Sequence, residues 1–116
     1  MKIIYWVGSA KDDLLGFPQK VREEMGYALY VAQKGSKHPS AKPLKGFRGA
    51  GVLEVVENYN TNTYRLIYTL QLKKNIYVLH AFQKKSKQGI STPQHDMDVV
   101  EKRMKQAEED QKRRVK

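Results

Sequence analysis

The chain contains no cysteine. That absence removes disulfide frameworks, thiolate catalysis and cysteine-based zinc sites from the functions open to it. Long apolar runs are missing as well. The opening MKIIYWVGSAKDD holds only the short run Ile3 to Val7, below the length of a signal-peptide core or a bilayer span. The expectation is a soluble cytoplasmic protein that does not engage a membrane. Histidine is sparse, and His38, His80 and His95 are too far apart in sequence to form the i, i+4 pair of a helical metal site. No metal and no other cofactor is expected.

Acidic residues are the minority charge, 12 against 22 Lys and Arg, for a formal net charge of +10 over 116 residues. The excess does not come from the C-terminus alone. Residues 1–100 hold fifteen basic and eight acidic side chains, a net of +7. Such a field attracts polyanions through long-range attraction and counterion release, and nucleic acid is the commonest of them. An acidic protein or an anionic surface answers to the same charge.

The length suits one domain with one core, so residues 1–116 are read as a single unit with 108–116 as a frayed basic tail. Ile3-Ile4-Tyr5-Trp6-Val7 reads as a buried strand. Ser9 is placed to begin a short helix with Asp12 and Asp13 in its first turn. From Pro18, the spacing of Val21, Met25, Ala28, Leu29 and Ala32 predicts a helix that Gly35 stops. The segment from Gly35 to Gly51, rich in glycine, proline and cations, reads as a loop. Val52 to Asn58, Tyr64 to Leu72 and Ile76 to Phe82 are β-type runs with short connections, which favours an antiparallel meander. Met97, Val100, Met104 and Ala107 mark one face of a last helix that fades near Gln111. This order predicts an α+β domain whose helices cover one sheet face and leave the other open.

The chemistry should gather on that open face. Arg65 alternates with Tyr64, Leu66 and Tyr68, so it points away from them, with Ile67 and Thr69. It is open to two readings, a phosphate ligand or a partner for Glu54 or Glu57 on the neighbouring strand. Lys84 and Lys85 follow the last apolar run as a row of exposed charge, and a solvated strand end that blunts aggregation would look the same. Lys45 and Arg48 lie on the loop before the first meander strand. His80, on a strand face with Val78 and Phe82, reads as a hydrogen-bonded core residue. Gly46-Phe47-Arg48-Gly49-Ala50-Gly51 lacks the Lys-Ser/Thr ending and following helix of a phosphate-binding loop.

The strings HAFQKKSKQGISTP, FPQKVREEMGYALYVAQKG, KPLKGFRGAGVLEV and YRLIY resemble the HigB-like, phage-derived toxins of the RelE/ParE superfamily. The resemblance implies a RelE-like α+β fold, with N-terminal helices and a C-terminal helix packed on a small meander sheet. It implies a type II toxin: a ribosome-dependent, metal-independent endoribonuclease acting on messenger RNA and held inactive by a helix-turn-helix, HigA-like antitoxin. Carried over by position, Arg65, Lys84 and Lys85 are the catalytic cations, and Lys45, Arg48 and Lys87 contact RNA. The family often has Glu followed at the second place by Arg in the first meander strand, whereas Glu54 here is followed by Val55-Val56. Two other classes stay open: a non-enzymatic, ParE-like poison of DNA gyrase, and a basic module that binds antitoxin or nucleic acid. Tyr59 is the stacking candidate for the latter.

Overall fold

A computed structural model describes residues 1–47, 51–70, 72, 74–84 and 92–114. Its elements are Ile3–Trp6 (β1), Ala10–Leu15 (α1), Gln19–Gln33 (α2), Ala41–Pro43 (β2), Val52–Tyr59 (β3), Asn62–Thr69 (β4), Asn75–Lys84 (β5) and Gln94–Arg114 (α3). The β-branched runs of the second half pair in sequence as their short connections require, β3 with β4 and β4 with β5, both antiparallel. The five strands lie in the order β1-β5-β4-β3-β2.

Local chemistry sets the ends of these elements. The chain leaves α2 through Gly35 at φ +89°. Its N–H donates to the Ala32 carbonyl at 3.0 Å and Ser36 N–H to the Val31 carbonyl at 3.0 Å, the paired bonds of a Schellman stop. Between β3 and β4 the two-residue turn has Asn60 at φ 49° and Thr61 at φ 66°. Positive φ at both positions makes it a type I′ turn, whose twist matches that of the strands. A β-branched residue fits this geometry badly, so Thr61→Gly is expected to stabilise the fold by about 1 kcal/mol, read as a rise in the urea midpoint.

Period-2 alternation along the strands divides the core in two. Val55, Leu66, Tyr68, Val78 and Ala81 meet Leu14 of α1 and Val21, Met25, Ala28 and Leu29 of α2 on the first face. Val52, Ile67, Tyr77 and Leu79 meet Val100, Met104 and Ala107 of α3 on the second. The expectation that helices would leave one face open is therefore corrected. With α1 and α2 filling the first face, the apolar stripe of α3 has only the second to bury against. Val100 and Met104 contribute roughly 1.5–3 kcal/mol each, enough to seat a helix whose other faces are charged.

Other expectations shift for tertiary reasons. β1 is an edge strand, not a buried one: it pairs parallel with β5 and Ile3 is 54% exposed. Within the expected loop, Ala41–Pro43 adds a strand antiparallel to β3. α3 does not fade near residue 108, because Tyr77 Oη donates to Asp110 at 2.6 Å and the Arg114 guanidinium lies 3.7 Å from the Tyr5 ring centre. Finally, Ile67 pairs with His80 but Tyr68 with Val78, so Leu79 is an inserted residue. This bulge reverses the alternation, placing His80 and Phe82 on the α3 face and Val78 on the other.

Candidate functional site

Because the strands are in register, the α3 face is organised in rows. Lys42, Glu54, Ile67 and His80 form one row, Val56, Arg65 and Phe82 the next, and Asn58, Thr63 and Lys84 a third nearer the β3–β4 turn. Arg65 and Lys84 thus project from the same face of adjacent strands as diagonal neighbours, about 7–8 Å apart in this geometry. Lys84 lies within β5, paired with Thr63 and only 9% exposed. The expected row of exposed charge is corrected at this position, since β5 runs two residues past Phe82 and draws Lys84 into the sheet. Lys45 is exposed on the turn after β2. Lys85, Lys87 and Arg48 lie outside the described residues.

Arg65 makes an ion pair with Glu54, the neighbour-strand partner of its second reading. Its Nη1 donates to Glu54 Oε2 at 2.9 Å, with the two side chains 5% and 8% exposed. Burying two charges together is tolerated only when each satisfies the other. Glu54 also forms part of the wall of a cavity of about 180 Å³, with Lys42, Lys45, Leu44, Thr92 and Met97 around it. Arg65 stands behind that wall. The turn closing the cavity uses Gly46 at φ +96°, where a Cβ would lie 3.1 Å from Met97 Cε.

A second pair borders the same face. His80 Nε2 lies 2.7 Å from Asp96 Oδ1, and its ring stacks on Phe82 with centroids 4.8 Å apart. The carboxylate accepts, so Nε2 carries the proton. Nδ1 is buried with no partner among the described residues. Burial pushes the imidazole pKa below its ordinary 6.5, outweighing the opposing pull of Asp96. The unfolded chain takes up this proton at a higher pH than the folded one. The stability contributed by neutral His80 is therefore whole above about pH 6.5 and lost as pH falls through the lowered folded value. A lower urea midpoint at pH 5.5 than at pH 7.5 is expected, with His80→Gln shrinking that difference. Glu57, whose carboxyl burial raises above its usual range, acts in the opposite sense.

Tyr68 faces the first core, as its alternation with Arg65 implies. Its hydroxyl is buried without a partner among the described residues, and desolvation pushes its pKa up to about 12. Tyr68→Phe removes that unmet donor and is expected to stabilise the protein by about 1 kcal/mol, with no loss of the site. His38, expected on a loose loop, is 5% exposed. Its Nδ1 accepts from Ser40 N–H at 3.0 Å, so Nε2 donates to Glu24, 2.6 Å away. This couple ties the segment before β2 to α2.

Sequence reasoning missed Lys42 and Asp96. Lys42 faces Glu54 only because Ala41–Pro43 becomes a strand. Asp96 meets His80 only because α3 folds back over the sheet, and no spacing signals either contact.

A family model described as Phage derived protein Gp49-like matches residues 12–105. No curated protein matches the chain. Among solved structures, a chain from the toxin-antitoxin complex RelBE2 of Mycobacterium tuberculosis is 16% identical, with 72% of this chain and 98% of that chain covered and a TM-score of 0.48. The family match runs from α1 into the middle of α3 and so takes in every row of the site. The chain belongs to the Gp49-like family of phage-derived proteins, a family of RelE-like toxins.

Proposed function

We propose that this RelE-type toxin is a ribosome-dependent endoribonuclease of a type II toxin–antitoxin pair, acting in the cytoplasm on messenger RNA. The carrying observation is the shared face of Arg65 and Lys84 on adjacent strands, beside a cavity walled by Lys42 and Lys45. The reaction needs a ribose 2′-oxygen to attack the adjacent phosphorus while negative charge builds on the nonbridging oxygens. Arg65, Lys84 and Lys85 supply the fixed positive charge for that step, and Lys45, Arg48 and Lys87 hold the flanking phosphates. Preorganised cations of this kind are worth ~10²–10³ in rate apiece. The ribosome supplies the distorted RNA geometry that so sparse a site lacks. A helix-turn-helix, HigA-like antitoxin with an acidic segment would neutralise the basic face.

The test is a translation reaction with purified protein, mapped by primer extension, alongside Arg65→Ala, Lys84→Ala and Lys85→Ala. The expected result is discrete cuts that each substitution weakens, while cuts that survive all three would remove the assignment. The burial of Arg65 behind Glu54 favours one second reading, a toxin that acts by binding alone, as a gyrase poison does. Growth arrest with intact messenger RNA and a DNA-damage response is its signature.

A further inference from the structure

The sheet ends in an open edge at β1. By the parallel register, β5 pairs with the amides of Tyr5 and Val7, and Val7 N–H donates to the Val78 carbonyl at 3.0 Å. The N–H and C=O groups of Ile4 and Trp6 therefore point outward, away from β5. At the start of the strand Gln33 of α2 imitates a neighbouring strand. Its carbonyl accepts from Lys2 N–H at 3.2 Å, and its Nε2 donates to the Lys2 carbonyl at 2.8 Å. Beside the edge lies a groove of about 300 Å³ with Ile4, Trp6, Leu14 and Leu29 in its walls. α2 lines it with a single helical stripe that includes Arg22, Gly26 and Tyr30. A Cβ on Gly26 would meet nothing within 4 Å. Glycine inside a helix weakens it relative to alanine. The local fold does not require glycine there, and the missing side chain keeps the groove open.

The charges on the groove are of one sign. Lys11 and Arg22 line it, and among the described residues no acidic side chain does. Lys34 stands at its Gln33 end, with the ammonium 5.7 Å from the Tyr30 ring centre. Leu15 and Tyr30, 56% and 46% exposed, give it an apolar rim. A second copy of the chain would bring the same cations to the edge and be repelled, which is how lysine protects an edge strand. An acidic strand would be attracted instead. We propose that the open edge of β1 and the groove beside it bind an extended acidic peptide of a partner protein as a sixth strand. The peptide main chain pairs with the free amides and carbonyls of Ile4 and Trp6. Its alternate apolar side chains enter the space beside Gly26, and its carboxylates meet Lys11 and Arg22. Ile4, Trp6, Leu14 and Leu29 belong to the first face of the sheet, away from the α3 face, so peptide binding and RNA cleavage are separable.

The probe is a fluorescein-labelled synthetic octapeptide alternating glutamate with valine, followed by anisotropy with the full chain at low salt. The wild-type protein is expected to bind it. Gly26→Leu fills the groove from a better helix former and should weaken binding by ~10-fold or more, with no fall in the urea midpoint. Lys11→Glu should weaken binding by a similar ~10-fold, whereas Lys45→Glu, on the α3 face, should leave it unchanged. Methylating the backbone nitrogens of one alternate set of peptide residues should abolish binding, and methylating the other set should spare it. Charge attraction alone cannot give that difference. A wild-type protein that ignores the peptide, a Gly26→Leu variant that binds like wild type, or methylated peptides that bind alike would each overturn the assignment. So would a protein that sediments alone as a dimer and returns to a monomer on Gly26→Leu, since the edge would then serve a second copy. Messenger RNA cleavage by Gly26→Leu should match wild type, so the peptide site and the endoribonuclease reading fail in different assays.

Discussion

Arg65→Ala is expected to destabilise the protein by about 3–5 kcal/mol, the largest effect of any single substitution in the sheet. The reason is asymmetry. The pair is buried, at 5% and 8% side-chain exposure, with a 2.9 Å contact, so truncating the arginine leaves the Glu54 carboxylate in a dry environment without its cation. Removing both charges together is much milder, since an apolar pair of similar volume replaces a desolvated ion pair at little net loss. Urea unfolding of Arg65→Ala, Glu54→Gln and Arg65→Met/Glu54→Leu should therefore give a double variant more stable than Arg65→Ala. A loss in the double equal to the sum of the two single losses would show that the two side chains act independently.

The second large effect is expected at Gly8, where β1 turns into α1. Its φ is +57°, and a Cβ there would lie 2.8 Å from Arg103 Nε and 2.9 Å from Cζ. That guanidinium donates to the Leu79 carbonyl at 3.0 Å and to Ser9 Oγ at 3.1 Å. It thereby ties α3 to the bulge of β5 and to the start of α1. Gly8→Ala adds a left-handed backbone penalty and displaces the guanidinium from a carbonyl in the sheet, for a combined loss of roughly 2–3 kcal/mol. Arg103→Ala separates the parts. In that background Gly8→Ala should retain only the backbone share, a non-additivity measurable by the same unfolding experiment.

The meander, α2 and the start of α3 were legible because their signals are local. Val52, Leu66 and Ile76 sit in β-branched or aromatic runs, and Gly35 closes an apolar helical face. β2 was not legible, since Ala41-Lys42-Pro43 has no strand character of its own and pairs only because β3 lies beside it. Nor was the parallel pairing of β1 with β5, which depends on a crossover through the whole chain. At the site, alternation placed Arg65 on its face, and the Glu54 contact was one of two readings that alternation alone left equal. His80 was placed among apolar neighbours, but the insertion of Leu79 changed which ones. The burial of Lys84 follows from two more residues of pairing than the apolar run shows.

In the proposed reaction, messenger RNA is cut by its own 2′-hydroxyl, steered by fixed charge on the α3 face. The most direct measurement is the chemistry of the cut ends. RNA recovered from a translation reaction containing the protein is expected to carry 5′-hydroxyl ends, which adaptor ligation detects only after phosphorylation by a kinase. Ends that already bear a 5′-phosphate, or messenger RNA recovered whole from an arrested reaction, would contradict the claim.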